Sequence, residues 1–93
     1  MDSQKQTPSM NQKIFTLGLS VETISVYLMC CNLKDNDATI STKNLSGVWN
    51  GKEALLLEGL KDLEERNIIR KIISEKEENS IYQLSHVEKW KSS

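Results

Sequence analysis

The stretch Gly51–Ile69, GKEALLLEGLKDLEERNII, decides the fold. Leu56, Leu60 and Leu63 recur at four- and three-residue steps, which places them on one face of an α-helix. Gly59 sits between those turns and costs a helix about 1 kcal/mol relative to alanine. Its presence predicts a second element crossing close by. Asn67 tolerates the left-handed backbone conformation and marks the helix stop. Upstream, Asn50-Gly51 reads as a turn, and Asn50 stands three residues before Glu53 as a capping box. Fully buried, the three leucines contribute roughly 5–8 kcal/mol of apolar transfer.

Downstream lies IIRKIISEKEENSIYQL. Ile68–Ser74 is β-rich, Glu75–Asn79 is a charged connection, and Ser80–Leu84 is a second extended run. The pattern predicts a hairpin with a connection longer than a tight two-residue turn. Two strands alone are marginal in water, so the leucine face is expected to cover them. In the following SHVEKW, Ser85 stands three residues before Glu88, which predicts a last short helix anchored by Trp90.

Upstream, LGLSVETISVYLMCCNL (Leu17–Leu33) is the first helix, with Ser20 as N-cap and Val21, Ile24, Leu28 and Cys31 as its stripe. Val26, Tyr27, Met29 and Cys30 lie beside that stripe. A helix this apolar must be covered on two sides, and the second cover is expected to be another copy of the chain. Lys34–Ala38 is a polar loop. Thr39-Ile40 is a short extended pair, Ser41 or Thr42 a cap, and a brief helix follows with Leu45 and Val48 inward. Residues 1–13 form a loose polar segment and residues 14–93 the domain. The element order gives a mostly α fold with a small antiparallel β-hairpin, a winged helix-turn-helix.

Ninety-three residues hold one core. Twelve basic side chains face thirteen acidic ones, a formal net charge of −1, where a phosphate-coating protein carries a basic excess. The only cysteines, Cys30 and Cys31, are adjacent and make no disulfide framework, so both are expected reduced and buried. No apolar run approaches the ~20 residues of a membrane span. The expectation is a soluble cytoplasmic protein. His86 is the single histidine, and its spacing from the cysteines matches no zinc pattern. There is no glycine-rich phosphate loop, and Glu77-Glu78 in a wing turn enclose no substrate. The chain is expected to be no enzyme and to hold neither cofactor nor metal.

Two functions remain. For DNA contact the candidates are Lys43, Asn44, Lys52, Lys71 and Lys76, with the long helix in the major groove. Against it, Asn50–Arg66 carries three basic and five acidic residues, and Arg70, Lys71 and Lys76 on the wing are balanced by Glu75, Glu77 and Glu78. For a protein interface the candidates are Val26, Tyr27, Met29, Leu55 and Trp90, apolar groups left over once the core is filled.

The runs LGLSVETISVYLMCC, ISTKNLSGVW, LEERNIIRKI and IYQLSHVEKW, spanning Phe15 to Trp90, resemble the N-terminal winged-helix domain of the DnaD/DnaB-type primosomal proteins of low-GC Gram-positive bacteria and their phages. That resemblance implies an oligomerisation module acting in helicase loading and replication restart. Its partners would be itself, as a dimer or larger, and a replication initiator or helicase-loading protein. In that family a separate C-terminal domain supplies much of the DNA binding. Assembly is expected through the first helix, the tail or the strand near Ile40. Tyr27→Glu or Trp90→Ala is expected to weaken it. The alternative is a sequence-specific DNA-binding transcriptional regulator. A scaffold with no binding role is the third.

Overall fold

A computed structural model describes residues 10–76 and 79–91, with the side chains of 73–76 excepted. Its elements run α1 (Val21–Asp35), β1 (Ile40–Ser41), α2 (Thr42–Val48), α3 (Glu53–Glu65), β2 (Ile69–Lys76) and β3 (Asn79–Leu84). Short 3₁₀ turns at Gln12–Thr16 and Val87–Lys89 bracket them. The three strands form one antiparallel sheet in the order β1-β3-β2. The fold is mostly α with a small antiparallel hairpin. The extended pair near Ile40 joins that hairpin as a third strand, through Ile40↔Tyr82 and Ser41↔Ile81.

The leucine face of α3 turns inward: Leu56, Leu60 and Leu63 are all buried. They share one core with Val26, Tyr27 and Cys30 of α1, Leu45 of α2, and Ile68, Ile69 and Tyr82 of the hairpin region. α3 packs chiefly on α1 and reaches the sheet at β2. Gly59 is the reason the helices meet so closely. A Cβ placed there would lie 2.9 Å from Val26 Cγ2 and 3.5 Å from Thr23 Cα. Val26 is β-branched and fully buried, so it has no free rotamer to yield. Gly59→Ala is therefore expected to destabilise despite alanine's better helix propensity, by a net of about 1–2 kcal/mol in urea denaturation. A gain of about 1 kcal/mol would show that the crossing relaxes freely.

At its C-terminal end α3 stops as its sequence predicts. Asn67 adopts φ 63°, and the Ile68 N–H donates to the Leu63 carbonyl at 2.9 Å. That reversal launches β2. The strands pair from Ile69↔Leu84 to Lys76↔Asn79, with irregularities between Lys71 and Ile73 and between Ser74 and Lys76. Glu75 thus belongs to β2 and Asn79 to β3, which corrects the expectation of a long connection. Backbone pairing is indifferent to the charged side chains that suggested a loop. Glu77 and Glu78 lie outside the described residues.

Several local expectations shift. Residues 1–9 of the expected loose segment lie outside the described residues. Asn11, inside it, caps the first 3₁₀ turn and donates its N–H to the Tyr27 hydroxyl at 2.9 Å. Met10 packs on the core and Ile14 is fully buried. Ser20 caps α1 as predicted, accepting from the Thr23 N–H at 3.1 Å. The buried face of α1 is Thr23, Val26, Tyr27, Cys30 and Cys31, whereas Val21 and Leu28 of the predicted stripe point outward, 75% and 38% exposed. α1 is apolar nearly all round, so its period alone did not say which side α3 would take.

Ser41 is the cap of α2, and Val48, expected inward, is exposed. Asn50 does not cap α3. Lys52 holds that position without a side-chain bond, and its carbonyl accepts from Trp49 Nε1 at 2.8 Å. Likewise His86, not Ser85, caps the last turn, its Nδ1 accepting weakly from the Glu88 N–H at 3.4 Å.

Candidate interaction surface

The exposed side of α3 is its acidic side. Glu53, Ala54, Leu57, Glu58, Lys61, Glu64 and Glu65 face solvent, so four carboxylates stand against one ammonium. Asp62 does not join them, because the Arg66 Nε donates to its Oδ1 at 3.0 Å within the helix's last turn. A carboxylate near DNA phosphates meets repulsion, and the base edge it most often reads is the cytosine amino group.

The candidate DNA contacts are scattered around this acidic strip. Lys43 is exposed at the start of α2, and its backbone N–H donates to the Asn79 side chain at 3.1 Å. Asn44 is exposed, but its Nδ2 donates to the Thr39 carbonyl at 2.8 Å and so supports the loop before α2. Lys52 and Lys71 are exposed, one at the start of α3 and the other on β2. Lys76 ends β2, and its side chain lies outside those described. α2 itself is docked on the sheet, with the Ser80 N–H donating to Thr42 Oγ1 at 3.2 Å.

The candidate protein contacts need correction. Val26, Tyr27 and Trp90 are buried within the single chain and are core rather than spare surface. Val26 fills the space above Gly59. Tyr27 and Trp90 meet edge to face, ring centroids 5.8 Å apart at 86°. Their polar ends are occupied as well: the Tyr27 hydroxyl accepts from Asn11, and Trp90 Nε1 donates to the Ser85 carbonyl at 3.2 Å. Tyr27 in a wide apolar stripe and Trp90, a lone aromatic in a polar tail, read as interface anchors because sequence spacing cannot show that the tail folds back on α1. Met29 and Leu55 are partly buried, Met29 against the core.

The apolar groups left in solvent are others. Val21 and Leu28 lie two turns apart on the outer face of α1, with Ile24 partly buried near them. Phe15, Val48, Leu57 and Ile72 are also exposed, Leu57 at 49% in the middle of the acidic strip. The signal for the α1 pair was present in the predicted stripe; only its direction was misread.

Burial pushes the Cys30 thiol up to about 12 and the Cys31 thiol up to about 11, in both cases chiefly by desolvating the charged form. Both remain protonated, poor nucleophiles at neutral pH. The Tyr27 phenol is raised for the same reason. Among the described residues no group of three or more histidine, cysteine or carboxylate side chains is placed to hold a metal ion. Among them also, no helix is long and apolar enough to cross a membrane. No family model, curated protein or solved structure matches the chain.

Proposed function

We propose that this chain is a winged helix-turn-helix domain serving as a protein-protein interaction and oligomerisation module, in a cytoplasmic replication-initiation or helicase-loading protein. The observation that carries the protein-contact part is the exposed face of α3, where Glu53, Glu58, Glu64 and Glu65 surround Leu57 and Lys61. In a groove-reading domain that face meets DNA. Here its charge favours a protein. The link to replication rests on the resemblance of LGLSVETISVYLMCC, LEERNIIRKI and IYQLSHVEKW to the DnaD/DnaB-type domain.

Self-association is assigned to the outer face of α1. Val21 and Leu28 are aliphatic, aligned and uncovered in one copy, and a second copy brings the same stripe to meet them. Val21→Glu combined with Leu28→Glu is expected to convert an associating chain into a monomer, because each copy then places carboxylates at the seam. Light scattering coupled to gel filtration at micromolar concentrations checks this. A wild type that stays at 10.6 kDa throughout removes self-association from the proposal. The second reading, a sequence-specific DNA-binding regulator, is favoured by one observation: Lys43, Lys52 and Lys71 are all exposed.

A further inference from the structure

We infer that the groove where β2 and β3 meet the C-terminal tail binds a carboxylate-bearing segment of a partner protein. This hollow of about 470 Å³ is lined by Arg70 on β2 and Lys89 on the tail. Asn67, Gln83 and His86 add polar groups, and Leu84 gives it an apolar patch. Among the described residues no carboxylate lines it, although acids outnumber bases in the chain. Among the described residues, neither Arg70 nor Lys89 has a carboxylate within ion-pair distance.

The groove is built rather than incidental. Asn67 Nδ2 donates to the Lys89 carbonyl at 2.7 Å, and the Lys91 N–H donates to the Arg66 carbonyl at 2.8 Å. Together with the Trp90 bond to Ser85, these fix the tail wall relative to the end of α3. Arg70 is steadied by Gln83 Oε1 at 3.3 Å, which leaves most of its fork of donors free. Ser85, also lining the groove, has a buried hydroxyl oxygen with no hydrogen-bond partner among the described atoms. A guanidinium held in place matches a carboxylate bidentately, and fixed walls reduce the ordering cost of binding.

The surroundings choose a peptide over nucleic acid. A phosphate backbone needs a continuous track of cations. Here Glu88 lies beside His86, its Oε1 4.0 Å from Nδ1, and Glu64 shares the neighbouring hollow with Arg70 and Lys71. Those acids interrupt any such track while leaving room for one or two carboxylates with an apolar neighbour on Leu84. The site requires no second copy of the chain, so it stands or falls apart from self-association.

Fluorescein-labelled hexaglutamate, titrated into the full chain and followed by anisotropy, is expected to bind saturably. Hexaglutamine of the same length is expected not to bind. In the isotope-labelled protein, amide shifts are expected at Asn67, Arg70 and residues 83–89. The double variant Arg70→Gln, Lys89→Gln is expected to weaken binding about tenfold or more. The control pair Lys13→Gln, Lys34→Gln removes the same charge elsewhere and is expected to leave affinity unchanged. Any one of four results overturns the site: no saturable binding, amide shifts spread over the surface, an equal loss in the control pair, or a short DNA duplex displacing hexaglutamate at lower concentration than unlabelled peptide.

Discussion

Leu63→Ala lowers the unfolding free energy by about 2–5 kcal/mol, the range for emptying a fully buried leucine site. On a domain whose total stability is roughly 5–15 kcal/mol, that removes a large share. Leu63 has no exposure and lies in the last turn of α3. Its own carbonyl receives the Ile68 N–H, so the residue joins the helix core to the reversal that starts β2. Leu63 shares one core cluster with Leu60, Ile68 and Ile69, all buried, and a close-packed interior has little that can collapse into the space left behind. Urea denaturation followed by tryptophan fluorescence reads the loss as a lower midpoint with an unchanged slope. A cost below about 1 kcal/mol would mean that the core closes over the deletion.

Trp90→Ala is expected to cost about 3–5 kcal/mol and to act on folding, not on association of folded copies. This reverses the expectation drawn from the tail's sequence. The indole and the Tyr27 ring meet edge to face, the indole N–H donates to the Ser85 carbonyl, and Trp90 lies between two hydrogen bonds that hold the tail, from the Asn67 side chain to the Lys89 carbonyl and from the Lys91 N–H to the Arg66 carbonyl. Tyr27 in turn holds the N-terminal segment through Asn11. The two aromatics therefore clasp both ends of the domain onto α1. Trp90→Phe keeps the ring contact and loses one hydrogen bond of about 1 kcal/mol, so it should be much milder. The order alanine worse than phenylalanine, in the same denaturation experiment, is the signature of the clasp. Equal costs would assign the effect to the hydrogen bond.

How legible was this fold in advance? α3 could be read almost completely, because a narrow leucine face, a glycine inside a helix and an asparagine at its end each have one economical explanation. α1 could not, because Val21, Ile24 and Leu28 offer as good a helical stripe as Thr23, Val26, Tyr27 and Cys30. The choice between them is made by the notch at Gly59, a tertiary feature. The hairpin's existence was plain from its β-branched run, but its ends were obscured by charged residues whose backbones pair regardless.

The interaction surface was less legible still. The acid content of α3 was countable, but not that four of its carboxylates share the outward side while Asp62 turns to Arg66. The groove of Arg70, His86 and Lys89 had no sequence signal, since only hairpin pairing and the returning tail bring those residues together.

We propose that the outward face of α3 repels duplex DNA and is left for protein. A binding titration with a short duplex, run at about 50 mM and again at about 200 mM salt, tests it most directly. Affinity weaker than about 10⁻⁴ M is expected at both concentrations. Tight binding at low salt that falls steeply at the higher concentration would contradict it.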